Sequence, residues 1–231
     1  MKRIVIGNWK CHKSSDAGRR WFDKFAAIYQ PHPEVQVVIA PSMVSLENIA
    51  AHLAGLKLRN VVLAAQDISP FPIGSYTGAV AADLVKKMAG YVIVGHSERR
   101  RYFHETIQDV MNKVIEAADA GLTPIVCVDS SNAKPQLAAL AGIDCDKLLV
   151  AYTPVDDLNF NIPESPAKVA ETVKMIRLDF PAFPVIYGGA VSPGNVRDYL
   201  QLPSLAGVFV GSSSLEPESF SEICNLSALC T

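Results

Sequence analysis

The chain predicts a single-domain α/β fold, a closed (β/α)8 barrel spanning residues 1–231, and three observations carry that reading. Short apolar runs, each about the length of a buried strand, recur at a period of roughly thirty residues. Their Val and Ile richness without polar alternation marks strands covered on both faces, as in parallel sheets under helices. Segments of helical character separate most of the runs, and eight right-handed crossovers between parallel strands close naturally on themselves.

The runs follow in order: RIVIGNW from Arg3, VQVVIAP from Val35, VVLAAQ from Val61 and YVIVG from Tyr91, then TPIVCV from Thr123, KLLVAY from Lys147, FPVIYGG from Phe183 and AGVFVG from Ala206. Between them, Asp83 to Ala89 and Thr106 to Ala120 carry apolar residues at three- and four-residue spacing, and Gly121 is a good stop for the second. Ser165-Pro166 and Ser192-Pro193 each read as an N-cap followed by Pro in the first turn. A doubly wound open sheet is the alternative. It is weaker, because no G-x-G-x-x-G opens the first helix. The stretch from Gln66 to Gly78 holds two prolines and two glycines, and a loop that long in a compact domain is usually functional.

Composition narrows the function classes. An apolar fraction of 49% with 19% charged residues supports a sizeable core, and a net charge of -2 leaves no electrostatic footprint for nucleic acid or an anionic membrane. The apolar start is short and interrupted by Asn8 and Lys10, unlike a secretory signal, and no run approaches a membrane span. The five cysteines are odd in number and lack a C-x-x-C pair, which fits reduced thiols in a cytoplasm rather than a disulfide framework or a zinc site.

In a parallel α/β barrel the chemistry sits at the C-terminal strand ends. The first run is followed by Asn8 and Lys10, although a lone lysine there is more often a solvated charge. The fourth is followed by GHSERR, residues 95–100, in which His96 alone is as readily structural as catalytic. The seventh and eighth run into YGGAVSPGNV and GSSSLEPESF, with Ala190, Gly211 and Ser212 in turns whose backbone N–H groups suit an anion such as phosphate.

GNWK at 7–10, AAQDISPFPIGSYTG at 64–78, YVIVGHSERR at 91–100, AYTPV at 151–155, YGGAV at 187–191 and VFVGSSSL at 208–215 together resemble triosephosphate isomerase, in order and at suitable spacing. The resemblance implies a TIM barrel that interconverts dihydroxyacetone phosphate and glyceraldehyde 3-phosphate, a step shared by glycolysis and gluconeogenesis, with no metal and no organic cofactor. It makes Asn8 and Lys10 substrate contacts, His96 the neutral electrophile, Glu98 the partner of Lys10 and Cys127 a structural cysteine. It also implies a homodimer or higher homo-oligomer joined through the loop Gln66 to Gly78, with Thr77 at its tip.

Where the family has its catalytic glutamate, this chain has Thr153, which occupies the base position and is not expected to act as a base. The family's lid tryptophan aligns with Asp156 and its Gly-Thr-Gly with Asn159-Phe160-Asn161, while Ala190 replaces a serine, Ser212 a glycine and Ala79 an interface glutamate that pairs with the arginine matching Arg99. Three readings stay open. The chain is a family member with weak or no isomerase activity that still binds a small phosphorylated or anionic ligand through Asn8, Asn159, Ala190, Gly211 and Ser212. Alternatively it is a barrel enzyme with changed chemistry, Asp156 or Asp157 serving as a relocated carboxylate, or a non-catalytic binding or regulatory protein.

Overall fold

The computed structural model describes residues 2–145, 147–154 and 162–230. Eight strands form one closed parallel barrel in sequence order: β1 Arg3–Asn8, β2 Val35–Ala40, β3 Val61–Ala65, β4 Tyr91–Val94, β5 Thr123–Val128, β6 Leu149–Tyr152, β7 Val185–Tyr187 and β8 Leu205–Val210. Closure is the pairing of β1 with β8, where Ile4 lies opposite Gly207. A Cβ on Gly207 would come 1.9 Å from the Ile4 carbonyl oxygen, so only glycine lets the two strands meet.

Both faces of each strand are buried, which is why the runs lack polar alternation. Ile4, Ile6, Val38, Ile93, Ile125 and Ile186 fill the barrel interior with their neighbours. The alternate positions, such as Val5, Val37, Val92 and Val126, pack outward into a second layer under the helices. Trp9, Trp21, Phe22, Phe25 and Phe220 form an aromatic pack in that layer, with Trp21 and Phe25 stacked at 4.8 Å.

Among the described residues the helices are α1 Ser15–Ile28, α2 Leu46–Leu56, α3 Ala82–Val85, α4 Ser97–Tyr102, α5 Ile107–Asp119, α6 Ala133–Leu140, α7 Pro166–Asp179, α8 Val196–Leu200 and α9 Pro217–Leu229. The cap predicted at Ser165 forms, its Oγ accepting the Lys168 N–H, and Thr106 and Asp109 make a reciprocal capping box that the sequence reading did not single out. Gly121 stops α5 in a left-handed conformation, φ +79°.

Three expectations are corrected. Ser192-Pro193 does not start a helix, because Asn195 folds back: its Oδ1 accepts the Ser192 N–H at 2.8 Å and its Nδ2 donates to the Ala190 carbonyl at 3.0 Å, so α8 begins at Val196. The helix expected to Ala89 ends at Val85, since the Met88 and Ala89 N–H groups both turn onto the Val85 carbonyl and Gly90 returns to β3. Strands β6 and β7 begin at Leu149 and Val185, two residues after Lys147 and Phe183, while β8 begins one residue before Ala206.

Candidate active site

The strand ends place Asn8, Lys10, His96, Glu98, Thr153, Ala190, Gly211 and Ser212 at one rim, the C-terminal one. Asn159 lies outside the described residues, as do Asp156 and Asp157.

Lys10 is held by its backbone. It adopts φ +51°, a left-handed conformation that costs a non-glycine residue about 1–2 kcal/mol. Both of its peptide groups are clamped against that cost. Its N–H donates to Asn8 Oδ1 at 3.0 Å, and its carbonyl accepts from Gln66 Nε2 at 2.9 Å. Gln66 also donates to the Ala40 carbonyl at 2.9 Å, so one amide joins the ends of β1, β2 and β3. The Lys10 ammonium then meets Glu98 Oε1 at 2.6 Å, the pairing the family resemblance implied. Gln66 was not singled out from the sequence, where it reads only as a polar residue at the start of a loop.

His96 follows Gly95, whose φ of +69° suits glycine and whose added Cβ would lie 3.1 Å from Val110. The imidazole is the N-cap of α4, its Nδ1 accepting the Glu98 N–H at 3.2 Å. That bond leaves Nδ1 unprotonated and assigns the hydrogen to Nε2, which is buried and has no partner among the described residues. Burial lowers the imidazole pKa from 6.5 to about 4, with Lys10, Arg100 and Arg99 adding to the drop and Glu98 opposing it. At neutral pH His96 is therefore a neutral hydrogen-bond donor. Arg100 anchors this helix to β5 by donating to the Gly95 and Cys127 carbonyls and pairing with the Asp129 carboxylate. The Cys127 thiol is fully buried, and desolvation pushes its pKa up to about 12, which fits a structural cysteine.

Thr153 follows β6 directly and is fully buried. Its N–H donates to the Val128 carbonyl at 2.7 Å, and its hydroxyl lies 3.4 Å from the same oxygen as a donor. Its methyl packs on Gly188 so closely that a Cβ there would fall 2.8 Å away. The side chain is uncharged and directed at backbone. On the other face of β6, Tyr152 donates to Glu164 Oε2 at 2.9 Å, and Lys168 pairs with Oε1 at 2.6 Å. The Glu164 peptide is also fixed, its N–H on the Tyr187 hydroxyl at 3.1 Å and its carbonyl under the Tyr199 hydroxyl at 2.7 Å. Glu164 is thus a structural carboxylate in the outer layer. The sequence reading did not single it out.

Loops seven and eight supply backbone. Ala190 is left-handed at φ +46°, and Asn195 holds its carbonyl. Gly211 precedes a 3-10 turn, Ser212–Ser214, rather than an α-helix, and the space beside it is open. Trp9 Nε1 donates to the Ser214 carbonyl at 3.1 Å, tying this turn to β1 and so to Lys10.

A cavity of about 210 Å³ at this rim is lined by Asn8, Lys10, Gln66, Asp67, His96 and Glu98, among others. Thr153, Ala190, Gly211 and Ser212 are not in its walls. A larger one, about 610 Å³, opens at the opposite rim beside Lys2, Arg3, Glu34 and Arg177. Size does not decide between them. Only the first combines a paired ammonium with an unpartnered buried donor. Among the described residues no group of three His, Cys, Asp or Glu side chains could hold a metal ion, and no helix is long and apolar enough to cross a membrane.

Comparison with known proteins agrees with this geometry. A family model described as triosephosphate isomerase matches residues 3–227. Among curated proteins, the triosephosphate isomerase of Mesomycoplasma hyopneumoniae strain 7448 is 31% identical, covering 96% of this chain and 98% of its own. That of Mycoplasmopsis pulmonis is 34% identical with 99% of each chain covered, and one from a Synechococcus strain is 30% identical over 98% and 97%.

Proposed function

The chain belongs to the triosephosphate isomerase family, and we propose that it keeps the family's electrophilic site while lacking its base, so that it binds a small phosphorylated or anionic ligand and isomerises triose phosphate weakly or not at all. The observation that carries this reading is the buried, backbone-bonded hydroxyl of Thr153.

Isomerisation moves a proton between adjacent carbons through an enediolate. A carbonyl oxygen seated in the 210 Å³ cavity would meet the Nε2–H of His96, which, being neutral, can polarise it. The Lys10 ammonium offsets the negative charge of the enediolate and the phosphate. The phosphate itself suits the turns at Ala190 and at Gly211-Ser212. What is missing is an acceptor for the carbon-bound proton. A threonine hydroxyl is not ionised near neutral pH, and this one is already donating to Val128. Loss of a positioned base typically lowers a rate by about 10² to 10⁴. A protein with this balance is close to a pseudoenzyme, and it calls on neither a metal nor an organic cofactor.

Self-association as a homodimer or higher homo-oligomer is part of the same proposal. The loop from Gln66 to Gly78 exposes Phe71, Ile73 and Tyr76, with the Phe71 and Tyr76 rings stacked at 4.6 Å, an apolar surface that suits a second copy. Sedimentation at micromolar concentration should find no monomer. Five cysteines, odd in number and without a disulfide among the described residues, fit a cytoplasmic protein. The direct test of function pairs a sensitive isomerase assay with thermal unfolding in 2-phosphoglycolate. Stabilisation without turnover is expected; turnover at ordinary family rates, or no stabilisation, would contradict the proposal.

A further inference from the structure

Four charges close into a ring beside the site cavity. Arg99 Nη2 meets Asp67 Oδ2 at 2.8 Å, and Lys113 Nζ meets Asp67 Oδ1 at 2.6 Å. Lys113 also meets Glu105 Oε1 at 2.5 Å, and Arg99 Nε lies 3.3 Å from Glu105 Oε2. The ring is neutral overall. Lys113 and Glu105 are almost wholly buried, with side chains 4% and 3% exposed, while Asp67 and Arg99 line the cavity. Three members belong to one unit: Arg99 is on α4, Lys113 is on α5, and Glu105 is bonded through its N–H to the Arg99 carbonyl at 3.3 Å. Asp67 alone comes from another, the end of β3. It directly follows Gln66, whose amide clamps the left-handed peptide of Lys10.

The geometry therefore points to Asp67 as a positioning residue: it locks the β3 end, which fixes Lys10 through Gln66, to α4, which carries His96 and Glu98. Two cations on two different helices grip its two oxygens. A carboxylate held at both oxygens fixes orientation as well as distance, and that accounts for a 2.6 Å contact between Lys10 and Glu98 across 88 residues of chain. The inference rests on the site's geometry and not on turnover, so its test needs neither substrate nor ligand.

The test is the titration of the His96 imidazole, followed by ¹⁵N NMR in the full-length protein. In the wild type the ring should stay neutral down to about pH 4, as its burial dictates. In Asp67→Asn, α4 should slacken and water reach the ring, moving the midpoint up by about one pH unit or more toward the solvent value. The direction discriminates. Removing the Asp67 charge without any loosening leaves Arg99 and Lys113 less compensated and moves the midpoint down. Arg99→Lys, which keeps the charge but cannot bridge Asp67 and Glu105 with two nitrogens, should also move it up and serves if Asp67→Asn does not fold. A midpoint unchanged or lowered in the folded variants, even with a large drop in Tm, overturns the proposal.

Discussion

Lowering the pH from 7.5 to 4 charges His96 in the unfolded chain before it does so in the folded one. Burial, aided by the nearby cations Lys10, Arg100 and Arg99, takes the folded pKa from 6.5 to about 4. Between those values the unfolded state binds more protons, so the stability contributed by neutral His96 is complete above pH 6.5 and is lost as the pH falls toward 4. The gap corresponds to about 3 kcal/mol at about 1.4 kcal/mol per pH unit. The comparison protein is His96→Gln, which does not titrate and whose amide oxygen can still cap the Glu98 N–H. Urea unfolding of both at steps from pH 7.5 to 4 should show the wild type losing about 3 kcal/mol more than the variant. Carboxylates contribute to both curves and cancel; one of them is Asp67, whose pKa is raised mainly by burial. Parallel stability curves for the two proteins would refute a neutral, desolvated His96.

Three further perturbations follow from the same contacts. Thr153→Glu should raise isomerase turnover at least about tenfold over the wild type by restoring an acceptor; replacing Thr153 and the segment 156–161 together by the family pattern should raise it more, and no gain from either would contradict the assignment of position 153. Lys113→Met leaves Asp67 and Glu105 with only Arg99 between them, and breaking a buried pair in this way should cost about 3–5 kcal/mol in denaturant unfolding. A cost below about 1 kcal/mol would place the ring effectively in solvent. Gly188→Ala forces a methyl to 2.8 Å from Thr153 Cγ2 and 3.0 Å from Phe209 Cβ, and overpacking of this kind should cost about 1–3 kcal/mol. Adding Thr153→Ser, which removes Cγ2, should return part of that stability, and strictly additive effects would argue against the contact.

The barrel was legible because its signal is collective: eight Val- and Ile-rich runs at regular spacing determine the architecture even when a strand start is misplaced by two residues. Local chemistry that depends only on neighbours was also legible, as in the cap at Ser165 and the stop at Gly121. Ser192 misled because its cap competed with Asn195, and the winner depends on how loop seven folds back onto Ala190. At the site, the Lys10 to Glu98 pairing followed from the resemblance. The left-handed backbone of Lys10 and its clamp by Gln66 did not, since a positive φ at lysine has no composition signal. Asp67, Glu105 and Lys113 carry no local signal that sets them apart in the sequence; the packing of α4 and α5 against the end of β3 is what brings them together. Glu164 was hidden for the same reason, its partners Tyr152, Tyr187 and Tyr199 coming from three separate elements.

The central claim, a preorganised electrophilic site without a base, is tested most directly by proton NMR of dihydroxyacetone phosphate incubated with the purified protein in D₂O, which reads isomerisation and exchange of the carbon-bound proton together. The relative from Mesomycoplasma hyopneumoniae, run in parallel at equal concentration, sets the scale. The account predicts that both isomerisation and exchange fall at least about 10²-fold below that reference. Exchange and conversion at rates comparable to the relative's would contradict it, because a carboxylate from elsewhere in the chain would then be taking the proton in place of Thr153.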